Sequence, residues 1–353
     1  MKNGAARRID WLDILRGAAI VMVIIVHSDQ FHPIHNRILN RFALEGMRGV
    51  QLFFVISGFT VLMTYEKGRD AVSFFIRRFF RIVPLYALFT VFWYVAAHGR
   101  KSYFAPEGFG PVDLIKTLAF VNIWDVRAYN AILPGGWSVS AEMNMYLIVP
   151  VLSSFLVTRG RGFALLAVSV VAGILLSWGG YLLFRNQPGS ALTNAYFNSY
   201  WLPTCLPSFI AGMLAYRIYS TTEISRTVSL LLLVLSSVSF VVLCLIPIHL
   251  KSILCAPILG VLVLSFGNLG RGSEFPAFTT WIGKVSYSAY FWHFIVIFFL
   301  SEMHFHQPDG FLPAFALIAA ATVALSSLTY AFLEVPFVRL GRRLTSKSKA
   351  SVS

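Results

Sequence analysis

Apolar windows long enough to cross a bilayer recur along almost the whole chain, and they leave little room for any fold but a helical membrane bundle. They fall at about residues 11–28, 48–65, 76–97, 138–157, 163–184, 202–218, 228–246, 252–267, 285–302 and 312–333, which predicts about ten transmembrane helices. The stretch 112–123 is too short to cross and is expected to be re-entrant or interfacial. Composition agrees: 57% of the 353 residues are hydrophobic and 12% charged, against roughly 25% charged in a soluble domain. The chain thus reads as an all-α, polytopic bundle. Residues 1–336 form one transmembrane domain, 337–353 a basic cytosolic tail, and no separate large soluble domain is expected.

The net charge of +14 would suit nucleic acid, but the basic residues alternate between loops as the positive-inside rule requires. Arg69, Arg77, Arg78 and Arg81 share one side with Arg159, Arg161, Arg217, Arg226, Arg271, Lys284 and the tail. An even span count with both termini cytosolic follows, and no nucleic-acid partner is expected. Lys2, Arg7 and Arg8 precede the first window like the start of a signal peptide, yet no small-residue cleavage site follows. That window is expected to be a retained span. Cys205, Cys244 and Cys255 have no CxxC spacing and suggest neither a disulfide framework nor a zinc site.

Within the first window Arg16 and His27 are eleven residues apart. Eleven steps of about 100° make about three turns, so both project from one face and are expected to address one cavity. Ionisable groups inside a span are expensive and need a partner or a function. Arg16 suits an anionic or carbonyl group, and His27 suits general-base work because imidazole titrates near neutrality. The plainer alternative is a structural Asp13–Arg16 pair, three residues apart, with an interfacial histidine. FFIRRFFRIVPLY puts Arg78 and Arg81 one turn apart at the cytosolic mouth of the third span. There they either hold donor phosphates or simply set topology and touch lipid phosphate.

GGWSVSAEMNMYLIVP opens the fourth span from the outside and places Glu142 just within it, needing a cation or a bound hydroxyl. Otherwise it is an interfacial acid beside the belt residue Trp137. His293, in SYSAYFWHF, sits near mid-membrane, lining a cavity or held structurally. His32, His35, His304 and His306 could bind metal only weakly, and no metal centre is expected. The segment 98–137, with PEGFGP and LPGGW, is expected to be an irregular structured loop covering a site on the outer face. No nucleophile elbow, phosphate loop or HExxH motif is present.

Taken in order, LDILRGAAIVMVIIVH, GVQLFFVISGF, FIRRFFRIVPLY, WSVSAEMNMYLIVP and SYSAYFWHF resemble the membrane-bound acyltransferase-3 family over nearly the whole chain. The resemblance implies a roughly ten-span bundle in a bacterial inner membrane. Such a bundle moves an acyl group, usually acetyl, from cytosolic acyl-CoA to a hydroxyl of a surface or exported glycan such as lipopolysaccharide or exopolysaccharide. It implies His27, Arg16 and Glu142 as catalytic. Arg78, Arg81 and Arg16 would contact acetyl-CoA, and Asp13, Trp137, Ser140, Tyr146 and His293 the acceptor, with Glu142 or His293 orienting His27. Met143, Asn144, Ile14 and Ile295 depart from the family pattern, the first two in a region expected to face the acceptor. Some members carry a C-terminal SGNH esterase-like domain, and none is expected here. The competing readings are a transporter or flippase, an acylase of a small molecule such as a macrolide, and a structural partner of a glycan-export complex.

Overall fold

In the computed structural model, residues 9–186, 190–303 and 310–350 are described. Their helices in chain order are α1 (Asp10–Phe31), α2 (Arg37–Leu44), α3 (Gly49–Glu66), α4 (Ala71–Ala96), α5 (Pro111–Leu118), α6 (Gly136–Leu147), α7 (Val149–Phe155) and α8 (Arg159–Phe184). Then come α9 (Ser190–Ala195), α10 (Leu202–Thr221), α11 (Arg226–Leu245), α12 (Lys251–Leu269), α13 (Ala277–Lys284), α14 (Ser286–Glu302), α15 (Phe311–Thr329) and α16 (Val335–Ala350). The described residues contain no strand, only one isolated bridge between Ser102 and Ala105. The protein is a multi-pass helical membrane bundle.

Every predicted window falls on helix, but not every one makes a straight span. Among the described residues seven helices are long and apolar enough to cross alone, or eight if the bent pair α13–α14 counts as one. The window 138–157 is broken between α6 and α7 at Ile148. Pro150, at the start of α7, has no N–H to give to the Tyr146 carbonyl, which loosens the ladder at this turn. The window 285–302 likewise follows a 67° bend. The stretch after Pro336, read as a tail, is helical to Ala350 and lies against α4, with Gly341 close to Phe80.

Burial sorts the helices. Over its most apolar 18 residues the span Arg37–Glu66, which contains α3, is 78% buried, whereas α8 and α11 are 22% buried over theirs. The outer helices turn Leu175, Leu183, Leu231 and Val234 outward, as lipid-facing surfaces do. At the centre α3 and α10 touch backbone to backbone: a Cβ on Gly58 would lie 2.0 Å from the Phe209 carbonyl, and one on Gly212 1.9 Å from that of Val55. A Cβ on Gly283 would lie 1.7 Å from the Asp13 carbonyl, which locks α13 to α1. Among the helices flanking the site α4 begins with a side-chain cap, Asp70 accepting from the Ser73 N–H at 3.2 Å.

Candidate functional site

Two recesses enter the bundle at different depths. Arg16, Arg78, Arg81, Glu142 and Tyr146 line the first, a cavity of about 90 Å³. His27, Gln30, Arg48, Trp137 and Tyr200 line the second, of about 410 Å³. Val50 and Tyr290 line both and form the wall between them. Tyr290 donates to the Gly135 carbonyl at 3.1 Å and lies 2.8 Å from Ser138 Oγ. Gly135 has φ +74 and is crowded by Tyr290 and Phe294, so only glycine fits this turn into α6.

Arg16 and His27 do share a face of α1, but they open into different cavities. Eleven residues at about 1.5 Å each separate them by about 16 Å along the helix. The single cavity expected from the sequence is therefore two. Arg16 Nη1 lies 2.9 Å from Asp13 Oδ1, so the structural pair exists alongside Arg16's place in the cavity wall. Asp13 itself is fully buried and lines neither cavity.

The arginines of α4 divide their work. Arg78 is buried, donates to Thr64 Oγ1 at 2.9 Å, and stacks over the rings of Tyr146 (5.1 Å) and Phe74 (5.5 Å). Arg81 lines the same cavity and makes no hydrogen bond or ion pair among the described residues. It is the more available cation for an incoming anion. Glu142 accepts hydrogen bonds from Ser57 and Tyr146. It faces the arginine cavity and does not reach His27.

The partner of His27 is Gln30, one turn on. Its Oε1 lies 2.8 Å from Nδ1. An amide oxygen only accepts, so Nδ1 carries the proton and Nε2 presents its lone pair. The His293 ring lies 5.2 Å from that of His27. His293 Nδ1 donates to the Ala289 carbonyl at 3.0 Å, and its buried Nε2 has no partner among the described residues. His293 thus backs His27 without orienting it through a hydrogen bond.

Trp137 lines the histidine cavity with its ring edge-on to Tyr200 at 4.8 Å. Ser140, expected at the acceptor, is instead fully buried between Asn122 Oδ1 (2.7 Å) and Tyr86 OH (3.0 Å) and lines neither cavity. The segment 98–137 does cover the site, lending Tyr103, Phe104 and Asn130 to the histidine cavity. An ion pair at 2.7 Å between Lys116 and Asp125 ties this cover together, and the carboxylate pushes the ammonium pKa up. Among the described residues no group of three His, Cys, Asp or Glu could hold a metal; His304 and His306 lie outside them. Gln30, Arg48, Gln51 and Tyr290 were not anticipated. Only Gln30, three residues after His27, left a readable signal.

The bundle and its two recesses define a polytopic membrane protein that places a histidine and several arginines inside the helices, one of which, Arg81, has no ion pair among the described residues. The acyltransferase domain profile matches residues 9–331, and the chain belongs to the acyltransferase-3 family. A Staphylococcus aureus (strain COL) protein provisionally named an O-acetyltransferase is 26% identical over 95% of this chain and 58% of its own length. The peptidoglycan O-acetyltransferase OatA of Listeria monocytogenes is 25% identical over 94% of this chain and 56% of its own. The O-acetyltransferase OatA of Staphylococcus aureus (strain NCTC 8325) is 25% identical over 96% and 59%. The chain spans under three fifths of the length of these relatives. No solved structure matches it.

Proposed function

We propose that the protein is a membrane O-acetyltransferase of the cytoplasmic membrane, moving an acetyl group from cytosolic acetyl-CoA to a hydroxyl of an exported or surface glycan. In this reading both termini are cytosolic and the arginine cavity opens toward the cytosol. Arg81 meets the donor's phosphates at the cavity mouth. Arg16 faces the thioester arm, since about 90 Å³ admits an arm and not a nucleotide. The acceptor lies in the larger histidine cavity. The names of the relatives, one of them a peptidoglycan O-acetyltransferase, support a glycan hydroxyl as acceptor and acetyl as the group moved.

His27 Nε2 takes the proton as the acceptor oxygen attacks the thioester carbonyl. The new C–O bond forms, the C–S bond breaks, and the imidazolium returns the proton to the departing thiolate, leaving CoA as the free thiol. Gln30 Oε1 holds the ring in the tautomer this requires. The donor arm must pass the wall of Val50 and Tyr290 to reach His27. The observation that carries the reading is a histidine with Nδ1 engaged and Nε2 open, one thin wall away from a cavity with an unpaired arginine.

The test is mass spectrometry of surface glycans from cells with the gene, without it, and complemented with His27→Ala. Acetyl-mass increments should vanish on deletion and return with the wild-type gene but not with the variant. Identical glycans in all strains would overturn the reading.

A further inference from the structure

The charge balance around the histidine cavity points beyond glycans in general. Glu45 accepts from Arg48 Nε at 3.1 Å and also from Lys251, so one carboxylate faces two cations. Arg48 is 7% exposed and lines the cavity. Its Nη1 donates to Ser252 Oγ at 2.8 Å, while Nη2 meets only the weakly accepting sulfur of Met47. Arg100 is a second cation in the lining, paired with Glu302. Among the described residues no aspartate or glutamate lines this cavity.

Two further lining groups await partners. Gln51, 2% exposed, has a buried Oε1 with no hydrogen bond, and Trp93, 6% exposed, has a buried Nε1–H with none. A buried polar atom left bare costs about 1–3 kcal/mol. An acceptor and a donor left bare on side chains that line a roomy cavity match the hydroxyls of a bound ligand. A cavity of about 410 Å³ lies in the range that binds small molecules.

We propose that the histidine cavity is a subsite for an anionic saccharide, with Arg48 taking a carboxylate on the sugar and Gln51 and Trp93 its hydroxyls. This rests on the acetyl-transfer reading and deepens it by naming the acceptor as acidic. Arg48 reads the charge through Nη2, the end of its guanidinium that meets only the Met47 sulfur among the described residues.

The experiment is equilibrium binding of radiolabelled sugars to the purified full-length protein in lipid nanodiscs. Two matched pairs differ by a carboxylate: methyl glucuronide against methyl glucoside, and N-acetylmuramic acid against N-acetylglucosamine. At least one acid should bind about tenfold or more tighter than its neutral partner, a difference of about 1.4 kcal/mol. Arg48→Gln should erase that preference, and Gln51→Leu should weaken acid and neutral sugar alike. Equal binding of acid and neutral sugar, no binding of any, or a preference that survives Arg48→Gln each overturns the proposal. The wild-type comparison stands even if a variant fails to fold. Acetyl transfer measured on the same preparation separates the two ideas. Transfer without acid preference sinks only the anionic subsite, whereas acid preference without any donor turnover sinks the acetyl-transfer reading.

Discussion

Replacing Gln30 with leucine should slow acetyl transfer about tenfold without changing the affinity for the donor. Gln30 Oε1 lies 2.8 Å from His27 Nδ1 and is the one side-chain hydrogen-bond partner of that ring among the described residues. As His27 takes a proton, this bond becomes a hydrogen bond to a charged group, worth about 1.5–3 kcal/mol. Gln30 is exposed, so solvent weakens the contact and the lower end applies, about tenfold in rate. Gln30→Glu keeps an acceptor at the same reach and should stay near the wild-type rate. His27→Ala removes the base itself and should cost about 10²–10⁴-fold, about 3–5 kcal/mol of barrier. His27→Gln should fail as badly, because an amide accepts a hydrogen bond but not a proton. The assay is release of CoA thiol with a saturating acceptor, on protein checked for monodispersity. A Gln30→Leu enzyme with wild-type kcat would refute the tautomer argument. Near-normal transfer by His27→Gln would refute the base.

Four other outcomes are expected. Arg81→Ala should raise the KM for acetyl-CoA about tenfold, the loss of one charge-assisted contact, and an unchanged KM would return Arg81 to topology or lipid contact. Ser140→Ala should leave both substrates' KM values alone but lower thermal stability by about 1–3 kcal/mol, because Asn122 and Tyr86 lose a buried partner; a changed acceptor KM would restore Ser140 to the site. Gly212→Ala should destabilise by about 3 kcal/mol or more, since its Cβ meets backbone. Gly179→Ala on α8, which meets nothing, should be neutral or stabilising, and equal melting temperatures for the two would contradict the close α3–α10 contact. Reporter fusions after Ala350 should read as cytosolic, and an external reading would refute an even span count.

The helices were legible because apolar runs must be helical in lipid, and each window landed on one. What the windows hid were the breaks. Pro150 stands in the sequence, but that it splits a span into α6 and α7 depends on how neighbours satisfy the freed carbonyls. The site was legible as residue types. Arg16, Arg81, Glu142 and Tyr146 do converge, as do His27 and Trp137. The depth separating Arg16 from His27 follows from helix rise alone, yet the wall between them does not. It is made where Tyr290 of α14 meets Val50 of α3, through packing far apart in sequence. Ser140 misled because one helix turn decides whether a hydroxyl faces a cavity or a neighbour, and here Asn122 and Tyr86 claimed it.

A protein hollowed from both ends carries a hazard unknown to a soluble enzyme: a continuous water path would short-circuit the ion gradient that energises the cell. Between the two recesses stand the side chains common to both, Val50 and a Tyr290 fastened at its hydroxyl to the turn before α6. An apolar plug and a tethered ring make the shared barrier. It can yield to an acyl arm only while that arm itself fills the gap. In the proposed reading, insulation and acyl transfer both rest on Val50 and Tyr290, so a substitution that eases the arm's passage there would also let ions leak.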